Sequence, residues 1–120
     1  MRPMAKTATI YHNTRCGTSR KVLTLLEDAD YDIEIVEYLK TPPDAATLRQ
    51  LITDAGVGVR DAVRTKEPEY QELGLDRPEV TDDELIAAMT EHPVLIQRPF
   101  VVTDKGTRLA RPSEIAAEVL

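Results

Sequence analysis

Apolar and polar positions along the chain follow two different periods, and the switches between them mark out its elements. Thr7 to His12 is β-branched and apolar, which predicts a strand. Thr18 to Ala29 carries helix-forming residues at apolar helical spacing, until Asp28 and Asp30 break it. Ile33 to Tyr38 then alternates apolar and acidic side chains, as a half-buried strand does. Strand, helix and strand within so short a span predict a βαβ unit with parallel strands and a right-handed crossover. Thr41-Pro42-Pro43 stops the second strand, and Asp44 is placed to cap a helix through Leu48, Leu51 and Ile52 to Gly56. Val57 to Leu75, interrupted by Gly58, Pro68 and Gly74, predicts short helical turns. Thr81 and Glu84 form a capping box for a helix that buries Leu85, Ile86 and Met89 and ends at His92-Pro93. Val94 to Ile96 is an apolar connection to Gln97-Arg98-Pro99. Phe100 to Thr103 and Thr107 to Ala110 flank Asp104-Lys105-Gly106 and predict a hairpin. A last helix opens at Arg111-Pro112-Ser113-Glu114, with Ile115, Val119 and Leu120 covering the sheet.

A chain of 120 residues supports one core, so residues 1–120 are expected to form a single domain. Within it, 44–92 is a helical insertion and 1–6 a flexible tail, in which Met4 is an alternative initiator. A net charge of -6 argues against a general nucleic-acid binder, because no basic stripe is available to replace counterions along a phosphate backbone. Any anion site must be local. No window has the length and apolarity of a membrane span, and the N-terminal run has no apolar signal-peptide core. One cysteine rules out an internal disulfide framework, which suits a reducing, cytoplasmic compartment. That cysteine and the distant His12 and His92 offer no ligand cluster for a metal.

The single cysteine, Cys16, falls at the first strand-to-helix turn. Unpartnered N–H groups and the helix dipole favour a thiolate there, and Arg15 and Arg20 push the same way. The competing reading is a small buried apolar thiol. Arginines punctuate element ends or turns at Arg20, Arg60, Arg64, Arg98 and Arg111. If their segment is helical, Arg60 and Arg64 share one face. Arg98 flanks Pro99, and Arg111 ends the last strand, so this topology brings both near the C-terminal edge of the first strand, beside Cys16. Guanidinium groups gathered at a thiolate make an oxyanion pocket, because the planar fork matches a tetrahedral oxyanion bidentately. A tyrosine-phosphatase loop is excluded, since it needs arginine where Val22 stands.

With the helical block set aside, the order βαβ then ββα resembles a thioredoxin or glutaredoxin core with a four-stranded mixed sheet. The resemblance implies a cis-proline before the third strand, facing the cysteine, and Pro99 is in that place. More specifically, Tyr11 to Arg20, Tyr38-Leu39 before Pro42-Pro43, Val59 to Arg64, Tyr70 to Leu75, His92-Pro93, Gln97 to Thr103 and Gly106 to Glu114 resemble the glutaredoxin-coupled arsenate reductase family. The resemblance implies Cys16 as catalytic thiolate, Arg64, Arg98 and Arg111 as oxyanion ligands, and His12 and Ser19 as assistants, with the Ser19 hydroxyl donating to the thiolate. Arg20, Arg60 and Pro99 are supporting residues. No bound cofactor is implied. Because one cysteine cannot close an internal disulfide, the implied partners are arsenate, glutathione or mycothiol as thiol co-substrate, and a glutaredoxin-type protein. The chain departs from the family at Thr14, where proline is common, and ends at Leu120 without the longer tail of some members. Two alternatives stay open. One is an RNA-polymerase-binding redox regulator of the same fold, without arsenate turnover, though such proteins often carry Cys-x-x-Cys and here Ser19 replaces the second cysteine. The other is a reductase of a different oxyanion.

Overall fold

The computed structural model describes residues 6–120. Strand β1 (Thr7–His12) runs parallel to β2 (Asp32–Glu37), from Thr7 beside Asp32 to His12 beside Glu37, and helix α1 (Gly17–Asp28) makes the crossover. On the other side of β1, β3 (Phe100–Thr103) pairs antiparallel, and β4 (Gly106–Leu109) returns along it as a hairpin. The resulting order, β2-β1-β3-β4, is the four-stranded mixed sheet that the element order implied. Between the second and third strands lie α2 (Ala45–Ala55), α3 (Pro68–Glu72) and α4 (Asp82–Glu91), with 3-10 turns at Val59–Ala62 and Pro93–Leu95.

Strand alternation splits the core in two. Ala8, Ile10 and Val101 point to one face, where Val22 and Leu26 of α1 and Ala116 and Val119 of the C-terminal turn cover them. Phe100 points to the other face, with Tyr11, Val102 and Leu109 packed beside it, and meets a cluster that the inserted helices supply through Leu48, Ile52, Leu85, Ile86 and Met89. Each fully buried aliphatic side chain contributes about 1.5–3 kcal/mol by leaving water. The insertion therefore builds a second core layer. Its helices start where their caps demand. Asp44 accepts from the N–H of Thr47 at 2.7 Å, the Thr81–Glu84 capping box is formed, and α2 stops at Gly56 with a left-handed φ of 71°.

Three expectations change. The last segment, Ser113–Val119, is a 3-10 helix, and it buries Ser113, Ala116 and Val119 while Ile115 stays partly exposed. Its end is tied to the sheet, because the carbonyl of Val119 accepts from the hydroxyls of Thr103 at 2.6 Å and Tyr31 at 3.3 Å. The tighter winding advances roughly 2.0 Å per residue against 1.5 Å for an α-helix, so the segment spans more of the sheet. β2 is an edge strand whose alternation buries little, with Ile35 48% exposed and the fully buried Tyr38 falling just past its end. Most of the expected tail, including Met4, lies outside the described residues. Lys6 is tied down: its carbonyl accepts from the N–H of Asp32 at 2.7 Å, and its ammonium stands 5.2 Å from the Tyr31 ring centre.

Candidate active site

Three backbone junctions gather the side chains at the C-terminal edge of β1. The first is the turn between β1 and α1, where the N–H of Cys16 donates to the carbonyl of Asn13 at 3.0 Å and Cys16 becomes the N-cap of α1. The second joins the ends of the hairpin. The Arg98–Pro99 peptide is cis, as the resemblance implied, and the carbonyl of Pro99 accepts from the N–H of Ala110 at 2.9 Å. Arg98 and Arg111 therefore flank one rung. The third lies beyond the sheet, where Val63 bridges Ile96. There Arg64 N–H donates to Leu95 at 2.7 Å and Gln97 N–H donates to Ala62 at 2.8 Å. That rung places Arg64 beside the same loop.

Cys16 is 8% exposed. Burial pushes its thiol up, but the backbone N–H of Ser19 and the guanidinium groups of Arg98 and Arg111 outweigh it and lower the thiol to about 7. Arg111 reaches Sγ through Nη1 at 3.7 Å and donates from the same nitrogen to the carbonyl of Arg98 at 3.3 Å. Nε and Nη1 of Arg98 are buried and meet no acceptor among the described residues. Leaving buried donors unpaired costs about 1–3 kcal/mol each, so this arrangement is shaped for an anion. Arg64 is held through Nε by Glu67 at 3.0 Å and lines a depression of about 130 Å³ together with Thr65, Lys66, Gln97 and Arg111.

The rest of the turn is wired to itself. The Ser19 hydroxyl accepts from the N–H of Asn13 at 3.1 Å and lies 2.6 Å from Nδ1 of His12. Burial holds His12 below its ordinary value, with Glu37 pulling it up and Arg20 pushing it down. The imidazole is thus neutral near pH 7, and its tautomer decides which member of the Ser19–His12 pair donates. The hydroxyl expected to serve the thiolate lies against His12, while the backbone N–H of Ser19 favours the thiolate. Arg20 donates through Nη1 to the carbonyl of Thr14 at 2.9 Å, closing the loop from outside.

Arg60 is not at this site. Its Nη2 donates to the carbonyls of Arg77, Pro78 and Val80 at 3.2, 3.4 and 2.8 Å. The 3-10 turn ends at Ala62 and Val63 is extended, so Arg60 and Arg64 share no helix face and point to different tasks. Two residues of the loop and its floor, Asn13 and Tyr38, were not singled out as site residues from the sequence. Asn13 is buried, donates through Nδ2 to the hydroxyl of Tyr38 at 3.2 Å and accepts at Oδ1 from the N–H of Arg15 at 2.9 Å. Burial raises the Tyr38 phenol, against the Asn13 hydrogen bond and the Arg98 charge, so it stays a neutral hydroxyl under the loop. An asparagine two residues before a turn N–H is the signature of an Asx-turn, and that signal was available for Asn13.

Among the described residues, no group of three His, Cys, Asp or Glu side chains is placed to hold a metal, and no helix is long and apolar enough to cross a membrane.

Known proteins resemble the chain along most of its length. An arsenate reductase of Rhizobium meliloti is 52% identical over 114 residues, covering 95% of this chain and 81% of its own. One from Escherichia coli K12 is 49% identical over 112 residues, covering 93% and 79%. A solved structure described as an arsenate reductase from Vibrio cholerae superposes with a TM-score of 0.92 at 42% identity, covering 98% of this chain and 100% of that one. The ArsC family profile matches residues 11–119, from the end of strand β1 to the end of the C-terminal 3-10 helix, and the chain belongs to the ArsC family.

Proposed function

We propose that the chain reduces arsenate to arsenite, with Cys16 as nucleophile and Arg64, Arg98 and Arg111 as the oxyanion ligands. One observation carries the reading: a thiol lowered to about 7 stands beside guanidinium groups, one of which keeps two buried N–H groups without an acceptor. The relatives named arsenate reductase support arsenic as the central atom. In the first step the Cys16 thiolate attacks arsenic, one oxygen takes up a proton and leaves as water, and a sulfur–arsenic bond forms. The arginines hold the remaining oxygens as charge develops on them. A small thiolate, glutathione or mycothiol, then bonds to the Cys16 sulfur as the sulfur–arsenic bond breaks. The electron pair of that bond passes to arsenic, which leaves as arsenite. Each sulfur gives one electron.

The mixed disulfide on Cys16 is cleared by a glutaredoxin-type protein through thiolate exchange, in which Cys16, with its lowered pKa, is a good leaving group. His12 and Ser19 hold the turn rigid, and Arg20 braces it. A working free thiolate suits a reducing compartment such as the cytosol. No observation favours the RNA-polymerase-binding regulator, and Ser19 leaves this turn without a second sulfur.

The test is arsenate-dependent NADPH oxidation with glutathione, glutaredoxin and glutathione reductase, repeated with the mycothiol system. Turnover in one of them is expected. Failure in both, or turnover retained by Cys16→Ser, would overturn the proposal.

A further inference from the structure

Next to Arg98 the chain buries a group of the opposite kind. Oε1 of Gln97 is out of solvent and has no hydrogen-bond partner among the described residues. Gln97 lines the same depression as Arg64, Lys66 and Arg111, a space of about 130 Å³, or roughly four waters' share of liquid volume. Arg64, Lys66 and Arg111 in the same lining favour the amide oxygen over its NH2 donor on the pocket side. An anion pocket needs donors, so an unpaired acceptor on a residue that lines it is out of place for a fully ionised ligand. It is in place for one that still carries a proton. Arsenate and phosphate keep at least one hydroxyl at neutral pH, whereas sulfate keeps none.

We infer that Gln97 is a specificity residue: its Oε1 accepts a hydrogen bond from the hydroxyl of a hydrogen oxyanion and so disfavours fully ionised oxyanions such as sulfate. The inference rests on the oxyanion reading of the site. A hydroxyl pairs with Oε1, while a bare anionic oxygen meets its lone pairs and leaves the carbonyl unsatisfied. The difference is expected to be worth about tenfold in relative affinity. This discrimination would let the reductase work in a medium containing sulfate without that ion occupying the pocket.

The test uses protection of Cys16 from alkylation by a neutral reagent, which reports occupancy without turnover. Phosphate serves as the unreactive hydrogen oxyanion and sulfate as the ionised one, at neutral pH. In the unaltered protein phosphate should protect at lower concentration than sulfate. Gln97→Met removes the acceptor at similar volume and should narrow the phosphate-to-sulfate ratio about tenfold. Gln97→Glu restores an acceptor and should keep or widen the ratio while weakening both anions. An unchanged ratio in Gln97→Met, or equal loss of both anions, would assign Gln97 to packing alone and overturn the inference while leaving the oxyanion pocket standing. Absence of protection by either anion in the unaltered protein would instead remove the pocket itself.

Discussion

The two halves of the site are built at very different sequence range. The cysteine turn is local: Asn13 to Cys16, His12 to Ser19 and Arg20 to Thr14 are all bonded within seven residues of one another. The arginine arc is global. Arg111 meets Cys16 across 95 residues, and Arg64 arrives by a single bridge between Val63 and Ile96. The turn forms wherever its own residues place it, whereas the arc exists only when the sheet and the inserted helices are both assembled. The thiol needs both, since the Ser19 N–H comes from the turn and two guanidinium groups from the arc. Reactivity at Cys16 is thereby tied to completed folding.

The largest expected effect comes from removing the atom the two halves share. Cys16→Ser should lower arsenate turnover by ~10³-fold or more, because an alkoxide is not accessible at neutral pH and no second thiol can substitute. Thermal unfolding should show a folded variant. Next come Arg98→Ala and Arg111→Ala. On the proposed reading each removes an oxyanion donor and should cost about 10²–10³-fold in kcat/KM. Each should also move the midpoint of Cys16 alkylation upward from about 7 toward the ordinary thiol value. The sign follows from the cation: it favours the thiolate, so its loss favours the thiol. For the same reason, the thiolate's contribution to stability is fully present above the ordinary thiol pKa and fades as pH falls through about 7. A midpoint left near 7 in both variants would assign the lowered value to the turn alone.

Ser19→Ala separates the halves in the other direction. The hydroxyl lies 2.6 Å from His12 Nδ1, while the thiolate is favoured by the Ser19 backbone N–H, which alanine keeps. Turnover should fall only a few-fold through a looser turn, by roughly the worth of one hydrogen bond, and the alkylation midpoint should stay in place. A rise comparable with that of Arg111→Ala would mean that the hydroxyl acts on the sulfur after all.

This contrast in range also explains what the sequence made legible. The strands, the Asp44 and Thr81 caps, the hairpin and the position of Cys16 follow from neighbours a few residues apart. Arg98 and Arg111 followed from topology, because each abuts a strand end. The C-terminal segment could not be read as 3-10, since its winding goes with Val119 being held by Thr103 and by Tyr31, 16 and 88 residues away. Gln97 looks like any loop glutamine until its oxygen is found buried without a partner on a residue that lines the depression. Tyr38 was visible as the end of a strand, but not as the floor under Asn13.

Arg60 and Arg64 make the sharpest instance, because spacing alone treats them as equivalent. The extended Val63 separates them, sending Arg64 to the depression that Arg111 also lines and Arg60 to three carbonyls in the loop before α4. Arg60→Ala should therefore leave kcat/KM and the alkylation midpoint unchanged. It should lower stability by about 1 kcal/mol, since shared hydrogen bonds to partly exposed carbonyls are largely replaced by water. For a domain of this size that is roughly 3–6 °C in Tm. Arg64→Ala should do the reverse, weakening arsenate use strongly while freeing Glu67 from its ion pair. Equal losses of activity in the two variants would show that the segment from Val59 to Arg64 acts on the site as one body, and the division at Val63 would have no functional meaning.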